Sequence, residues 1–439
     1  MSKISNLKNW NQFRYDLREF GFNSPKASIL YNLYLDGKIL DKDLDDSKYL
    51  KSFLIEKKIK EKETDSKYLN NDLLSKINRK CSDINSLIFN NLNDIDLINL
   101  ILSYKINKVS LSYILYDLKD RIIDVSKNKE LAKELSNLGF KVKLNLFNTW
   151  DTDVSALKNV HTLNLGHTQV TDVSALGKVH TLNLGFTWVT DGSGVSALGK
   201  VHTLDLFKTD VTDVRVLGKV HTLSLGWTKV TDVSALGNVH TLSLNGSKVT
   251  DVSALGKVYN LNISCTKVTD VSMLGSAHSL DLSDTKVKDV RALGNVHTLN
   301  LSHTKVKDVS ALGKVHTLDL SDTKVTDVSA LGKVHTLDLS STLVTDVSAL
   351  GNVHTLNLRY TNVTDVSALG SVHKLNLSYT KVIDVRALEK VHKLDLSHTK
   401  VTDVSALGNV HTLDLLWSHV TDVSALGNVD RLIYDYDYY

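Results

Sequence analysis

From Val160 onward the chain repeats one pattern of apolar and polar positions every nineteen residues, and the unit beginning at Val315 reads VHTLDLSDTKVTDVSALGK. Apolar residues stand at unit positions 1, 4, 6, 11, 14 and 17, with threonine at 9, and this spacing assigns those seven positions to an interior. Aspartate keeps the register at position 13 from Asp232 through Asp251 and Asp270 to Asp422. A short fixed period of this kind specifies a solenoid, because each unit can bury its apolar face only against its neighbours. Fourteen units fill residues 160–428, interrupted once by the extra Gly192, Ser193 and Gly194.

Within the unit, Thr317 to Leu320 alternate polar and apolar, which predicts a strand with the leucines inward and Thr317 and Asp319 toward solvent. Nineteen residues leave no room for a return hairpin, so successive strands must stack in parallel about 4.8 Å apart. With a degenerate unit around Leu144 and Leu146 and a last strand after Asn428, sixteen strands are expected. The Thr323 hydroxyl is placed to bond nearby backbone in the turn that follows. Asp327 suits the N-cap of a short helical turn over V-S-A-L. The expected fold class is an α/β solenoid, a gently curved rod with one parallel β-sheet and short helical turns on the opposite side.

Upstream the pattern changes. Residues 1–125 carry no repeat, hold the single proline, Pro25, and show helical spacing in Ala27 to Leu35, Tyr49 to Ile59, Leu69 to Ile77, Ile95 to Leu102 and Leu111 to Ile122. They read as a helical N-terminal domain. Residues 126–159 read as an N-terminal cap, with a helix carrying Leu131, Leu135 and Leu138, and the degenerate first repeat. Residues 160–428 are the repeats and 429–439 a C-terminal cap strand.

The motif V-x-x-L-x-L-x-x-T-x-V-x-D-V-S-A-L resembles a leucine-rich repeat of the internalin type, over about two thirds of the chain. It departs from that class in having threonine at the usual asparagine position and a unit three residues shorter. The near-identical units and the Asn/Lys/Ile-rich N-terminal segment also resemble repeat proteins encoded by giant DNA viruses of amoebae. That resemblance implies a viral origin and a place in the host cytoplasm.

Composition narrows the function. Of 439 residues, 52 are Lys or Arg and 49 Asp or Glu, so no net field draws the whole chain to nucleic acid or an anionic membrane, and neither is expected as a partner. The polar start, Met1 to Trp10, lacks the apolar stretch of a secretory signal, and an intracellular, cytoplasmic protein is expected. Two cysteines, Cys81 and Cys265, exclude a disulfide framework or a thiolate zinc site.

Several signals invite a chemical reading. Gly194, Gly199 and Lys200 match most of a phosphate-binding loop, but Val201 stands where the hydroxyl for magnesium belongs and V-S-A-L-G-K recurs in other units. Thirteen of the seventeen histidines, among them His202 and His316, fall on position 2 and predict a ladder of imidazoles. A linear column offers a metal two donors at a time where three or four must converge, so no metal or other cofactor is expected. Lys229, Lys248, Lys267, Lys286, Lys305, Lys324, Lys381 and Lys400 form a column at position 10, with Asp284, Asp319, Asp322 and Asp338 nearby to offset it. Every Ser, His and Asp of a conceivable catalytic triad recurs in many units and serves the fold, so an enzyme is not expected.

Information about a unique site must lie where units differ. Positions 7, 8 and 10 vary most and hold Trp150, Phe186, Trp188, Phe207 and Trp227 within five consecutive turns, then Tyr360, Tyr379 and Trp417. These aromatics are the candidate contact residues for a protein partner, or they pack against one another or the N-terminal domain. The function expected is a non-enzymatic protein-protein interaction scaffold. The alternative is a substrate adapter of a ubiquitin ligase, since residues 96–104 resemble the core of an F-box without its leading Leu-Pro. A metal- or anion-binding repeat protein comes third.

Overall fold

The computed structural model describes residues 121–434 and, upstream, Asn93 to Ile95, Leu97 and Ile98. Apart from these few residues and 121–125, the expected helical N-terminal domain, and with it the F-box-like stretch except Leu97 and Ile98, lies outside the described residues. The chain divides into two units, Met1–Asn145 with Asn159–Thr162, and Leu146–Lys158 with Leu163–Tyr439.

In the first unit, strand β1 (Ile122–Asp124) pairs in parallel with β2 (Lys141–Asn145), Ile122 opposite Lys141. That offset is nineteen residues, so the solenoid spacing begins one turn before the first leucine pair. The helical spacing read through Ile122 is therefore corrected. Ile122 and Ile123 are β-branched and take up a strand whose backbone is paired along its whole length. This strand raises the count among the described residues to seventeen, against the sixteen expected. Between the two strands, helix α1 (Lys129–Asn137) is capped by Asn128, whose side-chain oxygen accepts the Leu131 N–H at 3.0 Å. It buries Ala132, Leu135 and Ser136. Asp94 ties the upstream turn to β1, accepting from Arg121 at 2.7 Å and from the Asp124 N–H at 2.9 Å.

In the second unit each turn is built alike. The strand Thr317–Asp319 lies parallel and in register between Thr298–Asn300 and Thr336–Asp338. Val315, Leu318, Leu320, Thr323, Val325, Val328 and Leu331 are all buried, the seven positions that the pattern assigned to the interior. Each buried leucine contributes about 1.5–3 kcal/mol of transfer free energy. The Thr323 hydroxyl donates to the Leu320 carbonyl at 2.6 Å, and the same bond recurs at Thr304, Thr342 and Thr361. A β-branched residue holds that rotamer firmly, which is why threonine fills position 9.

Two local expectations change. Outside the insertion the helical turns are 3-10 turns of three residues, such as Ser329–Leu331, and the residue preceding each of these is the core valine, which has no capping group. Asp327 instead accepts the Ser329 N–H at 2.9 Å from two residues back, an Asx turn that does the work expected of a cap. Asp319 is half-buried rather than free in solvent, because its carboxylate accepts the Ser321 N–H at 2.9 Å and closes the turn after the strand.

Glycine at position 18 lets the return arms lie close, since a Cβ on Gly313 would come 2.4 Å from the Ala330 carbonyl oxygen of the next turn. The insertion is absorbed on the same side. Thr181 pairs with Thr203, an offset of 22, while Val195–Lys200 lengthens into a six-residue 3-10 helix. Gly194 has φ 81°, and a Cβ there would lie 2.7 Å from Ser174.

Candidate binding surfaces

Position 8 of the turn has a conformation that the sequence does not announce. From Asn148 to Trp417 every residue there has φ between 54° and 66°, yet Gly246 is the only glycine among them. The cause lies in the ladder between turns: the Asp322 N–H donates to the Ser340 carbonyl at 3.0 Å, so the backbone must keep pairing while it turns away from the strand. A left-handed conformation costs a residue with a Cβ roughly 1–2 kcal/mol, least for Asn and Asp. Phe186, Lys208, Trp227, Tyr360, Tyr379 and Trp417 accept that cost. Their side chains point outward from a backbone fixed at each turn.

These residues gather into two clusters. In the first, His167 stacks on Phe186 with ring centroids 4.1 Å apart, Phe147 meets His167 edge-on at 5.0 Å, and Phe186 lies 5.4 Å from Phe207. The Lys208 ammonium lies 5.0 Å from the Phe186 centroid, 5.9 Å from Phe207 and 5.7 Å from Trp227. In the second, the Arg359 guanidinium lies 4.8 Å from the Tyr360 ring and 5.1 Å from Tyr379. Tyr360, Tyr379, His398 and Trp417 continue the stack at 4.3, 4.1 and 6.0 Å. A hydrogen bond from Arg359 lowers the Tyr360 phenol below its usual value.

The candidate aromatics thus separate. Phe186, Phe207 and Trp227 come together in one cluster, and Tyr360, Tyr379 and Trp417 in the other, packed on one another while Trp227 and Trp417 stay half exposed. Trp150 and Trp188, at position 10, stand outside both stacks, 85% and 68% exposed. Sequence reasoning missed Phe147, His167, Lys208, Arg359 and His398, although their place in column 7 or 8 beside an aromatic was the available signal. Between the clusters the column turns polar and acidic. Cys265 faces Asp284, and His303 lies 3.6 Å from Asp322.

The position-2 imidazoles form the expected ladder, with rings from His180 to His411 stacked 4.4–4.9 Å apart and Tyr259 standing in for one of them. Most of the imidazoles lean on the position-3 hydroxyl of their own turn, as His316 Nδ1 does on Thr317 at 3.3 Å and His202 Nδ1 on Thr203 at 3.3 Å. Most neighbouring rings are close to parallel, His392 and His411 being tilted by 41°, and no group of three or more His, Cys, Asp or Glu converges on a point among the described residues. In the lysine column Lys229 pairs with Asp210 at 2.7 Å. Asp319 and Asp338, expected to offset that column, spend their carboxylates on the turns of their own strands. Gly194 to Lys200 is occupied by the 3-10 helix, with Val173 donating to the Ser193 carbonyl at 2.8 Å, and is not a phosphate cradle.

No protein-family description matches the chain, and no curated protein does. Solved structures do. A leucine-rich-repeat protein of Leptospira interrogans is similar with a TM-score of 0.57 at 19% identity, over 71% of this chain and 94% of that one. The functional domain of InlJ from Listeria monocytogenes, which includes a cysteine ladder, is similar with a TM-score of 0.54 at 21% identity, over 70% of this chain and 74% of that one. Together with the nineteen-residue turns and their parallel strands, these likenesses show that the chain has the leucine-rich-repeat fold.

Proposed function

We propose that the protein is a non-enzymatic scaffold that binds a protein partner along the ridge formed by positions 7, 8 and 10. The observation that carries this reading is the occupancy of position 8. The backbone there favours glycine or asparagine, yet thirteen of the fifteen turns from Asn148 to Trp417 hold neither, and the large side chains gather into two aromatic clusters, each topped by a cation. Aromatic and arginine side chains on a rigid scaffold are the usual carriers of binding energy. At the strand spacing the clusters lie about 34 Å apart, so one extended or folded partner can engage both.

The test replaces Trp188 and Trp227 by alanine in the full chain and measures melting and partner recovery on the same preparation. Loss of a partner that the unaltered chain retains, with melting shifted little, is the expected result. Retained recovery at normal stability would move the site elsewhere, and early melting would make these side chains part of the fold.

A further inference from the structure

The near balance of charge along the chain conceals a segregation by column. From Lys178 to His411, position 19 is exposed, position 1 is a buried valine or, once, Ala277, and position 2 is exposed except at the half-buried His278, His373 and His392, so the residues at 19 and 2 flank one another along the same rim. Column 2 carries twelve imidazoles from His180 to His411, a row about 55 Å long at its ring spacing. Column 19 adds Lys178, Lys200, Lys219, Lys257, Lys314 and Lys333, all exposed, and none has an ion pair among the described residues.

We propose that this histidine–lysine rim is a binding surface for single-stranded nucleic acid, engaging its phosphates and strengthening as the imidazoles gain protons.

The rim presents the same group at turn after turn and so carries no information for a partner with a unique surface. It suits a polymer with one identical charge per repeat. The imidazoles already stack on one another at about 4.6 Å, which leaves no gap for a base, so the contacts available are from Nε2 and lysine Nζ to phosphate oxygens. Such contacts are independent of base sequence. A single strand can follow a straight row by adjusting its torsions, whereas the phosphates of a duplex wind away from it. A phosphodiester also keeps its full charge over the range in which imidazole titrates, so every added proton gains a partner.

The groups facing the imidazoles support the sign. Each imidazole meets its neighbours in the column and the residue at position 3, a hydroxyl in most turns but Lys374 beside His373 and Lys393 beside His392, while Arg431 follows Asp430 at the end of the column. Across the valine stand the lysines of column 19, with Glu389 beside Lys390, and Asp430 ends the column 3.0 Å from His411. The nearest acidic column, at position 5, lies about 10 Å further along the strand, its carboxylates committed to turn N–H groups. Burial and then the neighbouring imidazoles lower His202, His316 and His373, with Lys374 and Lys393 adding to the effect at His373. These three therefore charge below the usual histidine value, and bound phosphate favours protonation of any imidazole that it touches.

The experiment measures binding of a fluorescent oligodeoxythymidylate of roughly 20 nucleotides to the full chain at about pH 5.5 and about pH 7.5, across about 50–200 mM salt. We expect affinity at least about tenfold higher at the lower pH and a salt dependence steeper by about two in its logarithmic slope, equivalent to three further phosphates. Replacing His297, His316, His335 and His354 together by glutamine should remove most of the pH gain. Replacing Lys257, Lys314 and Lys333 by glutamine, at exposed positions that the core does not use, should weaken binding at both pH values, with circular dichroism confirming the fold of each variant. Affinity that does not change with pH, a pH gain that survives the histidine substitutions in a folded protein, or equal binding of polyglutamate at matched charge would each overturn the assignment.

Discussion

The inner columns of the turn and the ridge at positions 7, 8 and 10 obey opposite rules. Inside, the same few residue types recur from Val160 to Leu426, because each is fitted against its copies one turn above and below. On the ridge, the backbone is as uniform as the core, with φ near 57° at turn after turn, while the side chains run from lysine and aspartate to tryptophan. Uniform backbone with varied side chains is the contrast on which the proposed binding ridge rests. The histidine rim falls between the two, as repetitive as the core but exposed, and this combination is why it points to a repetitive partner.

The strongest way to break this comparison is to disturb the register itself. Deleting Val315 to Lys333, one whole unit, joins equivalent positions and should leave a folded protein one turn shorter. Deleting only Val315 to Thr323 places ridge residues where core residues belong, and the sheet signal should collapse. Circular dichroism and small-angle scattering on the two variants read the difference. Equal behaviour of both deletions would mean that the nineteen-residue turn is not the unit of stability.

A smaller effect tests a single column. Replacing Thr323 by valine keeps the shape but leaves the Leu320 carbonyl without its side-chain donor, and stability should fall by about 1–3 kcal/mol. Nature has made a related experiment at Ser247, the position-9 residue whose buried hydroxyl finds no partner. Ser247→Thr should therefore stabilise the protein by about 1 kcal/mol in denaturant titration. No gain would mean that the β-branch is not what directs the hydroxyl to the carbonyl.

Charge along the columns gives two pH windows. The lowered histidines bind fewer protons folded than unfolded, so their contribution is complete above about pH 6.5 and declines as pH falls through that value. The aspartates of position 13 behave likewise at lower pH. Asp213, Asp289 and Asp384, each gripped by the arginine two residues on, are lowered to about 2. Their contribution is present above about pH 4 and is lost as pH falls toward about 2. Melting temperature should step down in both windows, and glutamine at several position-2 histidines should remove the first step while sparing the second.

How much of this was legible in the sequence follows from what each residue type gives away. Leucine and valine announce burial by recurrence, so the core and the period were readable to the residue. The strand at Ile122 was not, because Ile-Ile-Asp lacks the L-x-L signature and its neighbours favour a helical reading. The Asx turn at position 5 was hidden by the serines that stand there in two turns, Ser224 and Ser243. The left-handed backbone at position 8 was concealed most completely, since a glycine would have revealed it and only Gly246 is present. The aromatics that read as candidate anchors concealed the strain that makes their presence informative.

That strain supplies the smallest and most discriminating test. Ser341 occupies position 8 with φ 57° in the polar stretch between the clusters, and its N–H donates to the Arg359 carbonyl at 2.9 Å, a bond that any residue can make. Ser341→Gly relieves the left-handed conformation, offset in part by the greater freedom of glycine in the unfolded chain. Stability should rise by about 0.5 kcal/mol, read as a shift of the denaturant midpoint at unchanged slope. The same change at Tyr360 removes a ring stacked 4.3 Å from Tyr379 and lying under the Arg359 guanidinium, so the relief should be cancelled there by lost packing. If Ser341→Gly lowers stability instead, the backbone at position 8 is not strained, and side chains there need no purpose beyond the fold. If it raises stability while Tyr360→Gly does not, the aromatic clusters hold their places against the preference of the backbone. Partner recovery then becomes the property to measure at Tyr360.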